Sequence, residues 1–161
     1  MRVVVSSNSL SDMSKNIVVV DIDGTIAKVG DRLKYLQQEK KDWDAFYEHC
    51  DEDEPIKDII ELIELMQIHE YNIVFCTGRR ESVRKKTEYW LFKNIWCLRE
   101  YKLLMRKDGD WRHDTEVKPE LLQKAGITPD DVYFILEDRD SIVAKWRELG
   151  YRCLQVADGN F

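Results

Sequence analysis

The sequence predicts an α/β fold in which a parallel sheet lies between two layers of helices. Apolar runs typical of buried strands alternate with longer segments of helical periodicity. Polar residues follow directly after three of these runs. Because right-handed crossovers place helices on both faces of such a sheet, we expect a three-layer, Rossmann-like domain. Ligands bind outside the carboxyl ends of the strands in these domains, so the polar residues should meet there.

The first strand is predicted at residues 17–20, which are all aliphatic and are followed by Asp21-Ile22-Asp23-Gly24-Thr25. Side chains alternate along a strand, so Asp21 and Asp23 should point the same way. Gly24 allows a sharp turn, since it lacks the Cβ atom that disfavours positive φ. Two carboxylates beside a turn suit a divalent cation and a phosphoryl group, although the same residues also occur in ordinary turns.

Residues 26–54 are predicted to form a small, irregular insert after this strand. Within it, Trp43, Phe46 and Tyr47 have the spacing of one or two helical turns. These rings either pack onto the core, which is the more common use, or stack on a nucleobase. Pro55 is predicted to be the first residue of the next helix. The buried stripe of that helix comprises Ile56, Ile59, Ile60, Ile63 and Met66.

The remaining elements continue the alternation of strands and helices. Strands are predicted at residues 72–76, 102–105, 132–136 and 151–156. A helix over 81–94 should bury Val83, Trp90 and Leu91, and a charged loop should span 106–116. One further helix is predicted to begin at Pro119 and end at Gly126, and another is predicted to end at Gly150.

Composition narrows the functional classes. The chain of 161 residues carries 25 basic and 31 acidic side chains, and the net charge of −6 argues against a general nucleic-acid coat. The 4 cysteines form no CxxC pair, so we expect reduced, packed thiols and a cytoplasmic location, which is the host cytoplasm for a phage protein. No membrane span, signal peptide or P-loop motif is visible.

Four features together resemble the haloacid dehalogenase superfamily of phosphohydrolases: Asp21–Thr25, Thr77-Gly78-Arg79, Lys118 and Glu137-Asp138. Residues 17–161 more narrowly resemble the phosphatase domain of bacteriophage polynucleotide kinase–phosphatase. Residues 106–114 and 155–161 match that domain in residue type and spacing. The resemblance implies an N-terminal extension at 1–15 and a phosphatase domain at 16–161, with 26–54 as a cap-like insert.

The chemistry of these residues suggests a role for each, and the resemblance implies the same roles. Asp21 is the candidate nucleophile and Asp23 the candidate general acid and base. Mg²⁺ would be bound by the Asp21 carboxylate, the Asp23 backbone carbonyl, Asp138 and, directly or through water, Glu137. Glu137 departs from the family pattern, which commonly has aspartate at this position.

Other polar residues are candidates for binding phosphate. Thr77 and the backbone at Gly78 can donate to phosphoryl oxygens. Lys118 stands at the predicted start of a helix, where a cation is unfavourable unless it contacts an anion, although it could also be an ordinary surface lysine. The arginines expected to contact substrate phosphates are Arg32, Arg79, Arg106 and Arg139.

The predicted activity is Mg²⁺-dependent phosphomonoester hydrolysis through an aspartyl-phosphate. The expected substrates are the 3′-phosphates of polynucleotide ends, with nucleoside monophosphates as the alternative. No membrane association or obligate protein partner is expected. A third possibility is a catalytically silent module that binds nucleic acid or protein. The complete set of Asp21, Asp23, Thr77, Lys118 and Asp138 argues against this possibility.

Overall fold

A computed structural model describes residues 15–159, whose centre is a five-stranded parallel sheet. Along the chain, the strands are β1 (Ile17–Val20), β2 (Ala27–Lys28), β3 (Glu54–Pro55), β4 (Asn72–Arg80), β5 (Tyr101–Arg106), β6 (Val132–Glu137) and β7 (Cys153–Gln155). The sheet order is β5-β4-β1-β6-β7, and every neighbouring pair is parallel. The predicted α/β fold class is therefore confirmed.

Strand β1 lies in the middle of this sheet. It pairs with β4 on one side and β6 on the other, and Val20 is in register with Phe75 and Leu136. A strand covered on both faces must be apolar throughout, which explains its uninterrupted aliphatic sequence. The shared register brings the polar residues that follow the three strands to one edge of the sheet.

The helices are α1 (Trp43–Glu48), α2 (Lys57–Ile68), α3 (Arg84–Asn94), α4 (Asp114–Lys124) and α5 (Asp140–Glu148). Helices α2 and α3 pack on one face of the sheet, where Ile63 and Trp90 join Phe75 in one core. Helices α4 and α5 pack on the other face, where Leu122 and Trp146 belong to a second core. The predicted three layers are present.

The insert is closed at its base by a two-stranded antiparallel sheet of β2 and β3. Between these strands lie a 3-10 helix (Asp31–Tyr35) and α1, the short helix that the aromatic spacing predicted. Phe46 is buried, and Tyr47 packs against the core beneath α2 and α3.

Both proline predictions were wrong. Pro55 belongs to β3, and α2 begins at Lys57. Pro119 lies inside α4, which begins at Asp114 because the His113 side chain accepts a hydrogen bond from the Thr115 amide at the helix start. Proline at this position removes one intrahelical hydrogen bond, and the sequence pattern alone could not show that the preceding turn is already helical.

Several boundaries also differ from the prediction. Strand β4 continues to Arg80 with a shift of register between Thr77 and Arg80, and β7 is shorter than 151–156. The charged loop ends at residue 113, since residues 114–116 are helical. The 4 cysteines are free, as expected, and 3 of them are buried. In residues 15–159 no helix is both long and apolar enough to cross a membrane. Except for Lys15, the predicted extension lies outside the described residues.

Candidate active site

A cavity of about 840 Å³ opens at the carboxyl edge of the sheet. Its floor comes from the ends of β1, β4 and β6, one wall from the insert and the other from the loop at 107–113. Most of the predicted site residues line it: Asp21, Asp23, Thr77, Gly78, Arg106, Lys118, Glu137, Asp138 and Arg139. Arg32 and Arg79 do not belong to this lining.

An acidic cluster of Asp21, Glu137 and Asp138 forms the deepest part of the floor. One carboxylate oxygen of each lies within 4.8 Å of the others, and all three side chains are buried. The Thr25 hydroxyl lies 3.1 Å from Asp138 Oδ1 and 3.3 Å from Asp21 Oδ2. Gly24 has a φ of +87°, and a Cβ atom there would overlap the Asp138 carboxylate. The glycine therefore permits both the turn and the close approach of β6.

Lys118 reaches this cluster from α4. Its Nζ lies 2.7 Å from Asp21 Oδ1 and 2.6 Å from Glu137 Oε2, and only 3% of the residue is exposed. The lysine lies in the second turn of α4, so the prediction of a helix N-terminus was wrong, as was the surface alternative. Burial opposes its charge, but Asp21 and Glu137 outweigh burial and raise the pKa of Lys118 well above the usual value.

The acidic cluster fits a hard divalent cation. Its donors are all carboxylate oxygens, which Mg²⁺ prefers, and three carboxylates beside one ammonium leave an excess of buried negative charge. Burial and the neighbouring Glu137 raise the pKa of Asp21 to about 7, although Lys118 opposes the rise. Burial and Asp21 also raise the pKa of Asp138. A bound cation would remove the repulsion that causes part of these shifts.

The Asp23 side chain does not join the acidic cluster but faces two arginines. Its Oδ1 lies 2.5 Å from Arg32 Nη2 and 2.6 Å from Arg79 Nη2. Asp53, from the insert, pairs with the same nitrogens at 2.6 and 3.3 Å. Burial opposes ionisation of Asp23, but the two arginines outweigh it and hold the pKa of Asp23 well below its usual range. The participation of the Asp23 backbone carbonyl in a metal site stays a prediction.

Arg32 and Arg79, which were predicted to contact a substrate phosphate, contact carboxylates in this structure. Both side chains are almost completely enclosed, and their guanidinium groups hold Asp23 and Asp53. Contact of Arg32 and Arg79 with a substrate phosphate stays a prediction.

Arg106 and Arg139 meet at Asp114, the first residue of α4. Arg106 forms an ion pair with Asp114 and donates from Nε to the Gly78 carbonyl at 3.1 Å. Its Nη1 also donates to backbone carbonyls of the 107–113 loop. Arg139 Nη1 lies 3.2 Å from the second Asp114 oxygen. A Cβ atom at Gly78 would lie 2.7 Å from Asp114, which explains the glycine.

Thr77 is fully buried beneath this group, at the floor of the cavity. Its hydroxyl accepts a hydrogen bond of 3.2 Å from the Arg79 amide. Because a hydroxyl both accepts and donates, Thr77 retains the capacity to donate to a phosphoryl oxygen.

Asp53 and Asp114 are absent from the predicted site residues. Asp53 belongs to an acidic run and Asp114 follows a charged loop, and solvated carboxylates are common in both settings. Asp114 lies within residues 106–114, which match the resembled domain, but that match alone gives it no role. Only the fold shows that both carboxylates face arginines.

The phosphatase-domain model of the polynucleotide kinase PNKP family matches residues 15–161. A chain of the Pnkp1/Rnl/Hen1 RNA repair complex is 27% identical, with a TM-score of 0.78 over 99% of this chain and 48% of that chain. In a second structure of the complex, the matching chain is 30% identical, with a TM-score of 0.76 over 96% of this chain and 52% of that chain. This chain therefore spans about half the length of those proteins.

A haloacid dehalogenase-like hydrolase from Streptococcus pneumoniae shares the fold, with 15% identity and a TM-score of 0.60 over 88% of this chain and 84% of that chain. The PNKP family model spans every strand end and loop that builds the cavity. The chain thus belongs to the HAD-type family of polynucleotide kinase PNKP phosphatase domains.

Proposed function

We propose that this chain is a Mg²⁺-dependent phosphomonoesterase that forms an aspartyl-phosphate on Asp21 and removes 3′-phosphates from polynucleotide ends. The observation that carries the proposal is the placement of the Asp21 carboxylate. It lies at the cavity floor, in contact with Lys118 and within 4.8 Å of Glu137 and Asp138. Membership of the PNKP phosphatase family and similarity to chains of an RNA repair complex support the choice of substrate.

The first step is attack by an Asp21 oxygen on phosphorus. A phosphorus–oxygen bond forms to the carboxylate as the ester bond breaks. Lys118 and Thr77 would stabilise the charge that develops on the phosphoryl oxygens. When bound by Asp21, Glu137 and Asp138, Mg²⁺ would neutralise the phosphoryl group and orient it.

Asp23 handles the proton in both steps. The two arginines keep its carboxylate ionised in the free protein, so the incoming phosphate must change its protonation. A phosphate dianion beside Asp23 opposes the field of the arginines and raises the pKa of the carboxyl. Protonated Asp23 then donates to the leaving ester oxygen. In the second step it accepts a proton from the water that attacks the aspartyl-phosphate, which regenerates Asp21 and releases inorganic phosphate.

The cover of the cavity favours a polymer end as the substrate. The insert supplies a 3-10 helix and one short α-helix, and its base is a sheet of 2 strands. A cover of this size leaves the cavity accessible from solvent beside the exposed Trp111. A strand can therefore place its terminal phosphate at Asp21 while its remaining nucleotides stay outside.

The decisive experiment compares phosphate release from a 3′-phosphorylated oligonucleotide, its 5′-phosphorylated twin and a nucleoside 3′-monophosphate, with and without Mg²⁺. We expect the 3′-phosphorylated oligonucleotide to have the highest kcat/KM. Equal values, or a preference for the mononucleotide, would replace this proposal with the nucleotidase alternative. The variant Asp21→Asn should lose activity on all three substrates, and surviving activity would refute the aspartyl-phosphate.

A further inference from the structure

Three side chains form a stack at the edge of the cavity. The guanidinium carbon of Arg80, at the end of β4, lies 5.0 Å from the ring centroid of Tyr47 and 4.2 Å from that of Trp111. Tyr47 comes from the insert and Trp111 from the loop at 107–113, so the stack joins the two walls. Asp44 holds Arg80 by an ion pair of 2.6 Å, and all three stacked residues line the cavity.

The outer member of the stack is exposed. Trp111 is 68% exposed although it lines the cavity, whereas Trp90 and Trp146 are almost completely buried. Since Arg80 covers one face of the Trp111 ring, the opposite face is the one available to a ligand. On the inner side, the stack is fixed by Tyr47, whose hydroxyl donates to the Gly78 carbonyl at 3.3 Å.

We propose that the open face of Trp111 binds a nucleobase of the single strand whose terminal phosphate reacts at Asp21. This inference rests on the proposed function. A nucleobase has a flat π face that stacks on an aromatic ring whatever its sequence. Arg80 and Tyr47 hold the ring in place before binding, which lowers the entropic cost of the contact. The same cavity contains Asp21 at its floor and the Trp111 ring at its edge, and a polynucleotide end presents both a phosphate and bases.

The chain contains a suitable control for Trp111. Trp96 is 90% exposed but does not line the cavity, so Trp96→Ala removes the same side chain from an unrelated surface. Because Trp111 is largely exposed, Trp111→Ala should fold normally. Trp111→Phe keeps an aromatic face and should restore most of the lost binding.

The test uses 3′-phosphorylated single strands that are intact or carry an abasic residue at one of the last three positions. We expect Trp111→Ala to raise KM for the intact strand about tenfold, which is typical of losing one base–aromatic stack, while Trp96→Ala leaves KM unchanged. An abasic residue at the stacked position should raise KM for the wild type by a similar factor and have no further effect in Trp111→Ala. Such non-additivity identifies the base and the ring as partners.

Additive effects, or equal KM values for Trp111→Ala and Trp96→Ala, would overturn the inference and leave the ring as a packing contact between the insert and the loop. Binding of a fluorescent 3′-hydroxyl strand, followed by anisotropy, distinguishes the stacking site from the phosphatase activity. Binding that depends on Trp111 without any phosphate release would refute the proposed function and retain the stacking site. Phosphate release that does not depend on Trp111 would do the reverse.

Discussion

Replacing Lys118 by methionine tests the electrostatic balance of the site. The change keeps the length of the side chain but removes the ammonium that contacts Asp21 and Glu137 at 2.7 and 2.6 Å. Both carboxylates are buried and would lose their cationic partner. Breaking a buried ion pair from one side typically costs about 3–5 kcal/mol, a large share of the roughly 5–15 kcal/mol that stabilises a domain.

The pH dependence of this loss follows from the carboxylates. The pKa of Asp21 is already raised to about 7 by burial and Glu137, and removing Lys118 would raise it further. The folded variant then binds more protons than the unfolded chain above the ordinary carboxyl pKa, so its stability falls as pH rises. We expect the gap between wild type and variant to narrow by about 1–3 kcal/mol when the pH is lowered from 8 to 6.

Urea unfolding in EDTA at both pH values measures these differences, and α4 provides a matched control. Lys124 is exposed and pairs with Glu120, so Lys124→Met should cost less than about 1 kcal/mol at either pH. The double variant Lys118→Met/Glu137→Gln also removes one of the two carboxylates that lose their cationic partner, and it should recover part of the lost stability. If Lys118→Met costs no more than Lys124→Met, or if its cost does not depend on pH, the Lys118 ammonium does not balance the acidic cluster.

Four further predictions test other parts of the site. In assays of kcat, Asp23→Asn should slow hydrolysis of a 3′-phosphorylated oligonucleotide far more than that of p-nitrophenyl phosphate, because p-nitrophenolate leaves without a proton; equal losses would deny Asp23 the role of acid. Asp53→Asn should lower kcat and shift the pH profile of the oligonucleotide reaction, because Asp53 holds both arginines that contact Asp23; an unchanged profile would contradict this role. Gly24→Ala should abolish stabilisation by Mg²⁺ in thermal melts, because the added Cβ overlaps Asp138, whereas Gly109→Ala has open space and should cost only about 1–2 kcal/mol of backbone strain. In EDTA, raising the pH from 4 to 7 should lower wild-type stability, because folded Asp21 retains its proton up to about pH 7, and millimolar Mg²⁺ should remove this dependence.

The sequence predicts the site best where a polar residue directly follows an apolar strand. Asp21, Thr77 and Glu137 follow apolar runs, and the parallel register of β1, β4 and β6 brings them to one edge as expected. The helix-start argument for Lys118 is wrong, since the residue lies inside α4. Its position nevertheless suits the contact, because the second turn of α4 carries its side chain into the acidic cluster.

The partners of charged side chains were harder to predict from residue type. An arginine near a phosphatase site suits a phosphate and a carboxylate equally well, because both offer paired oxygens to the guanidinium group. In the described residues all four arginines pair with carboxylates, and their contacts with a phosphate stay predictions. Arg32 and Arg79 are enclosed with Asp23 and Asp53, whereas Arg106 and Arg139 line the cavity and share Asp114. Long-range pairing of this kind has no period or motif that a single sequence could reveal.

The insert contributes residues both to the surroundings of Asp23 and to the stack at the edge of the cavity. Arg32 and Asp53 lie near its ends, close to the paired strands β2 and β3, and together they set the environment of Asp23. Tyr47, in α1, contributes to the stack that we assign to the nucleobase. The antiparallel pairing of β2 and β3 supports the first group at the base of the insert. Because Arg32 also packs over the ring of Phe46, which precedes Tyr47 in α1, the two groups are in contact through this helix. Changes in α1 should therefore alter base stacking and proton transfer together.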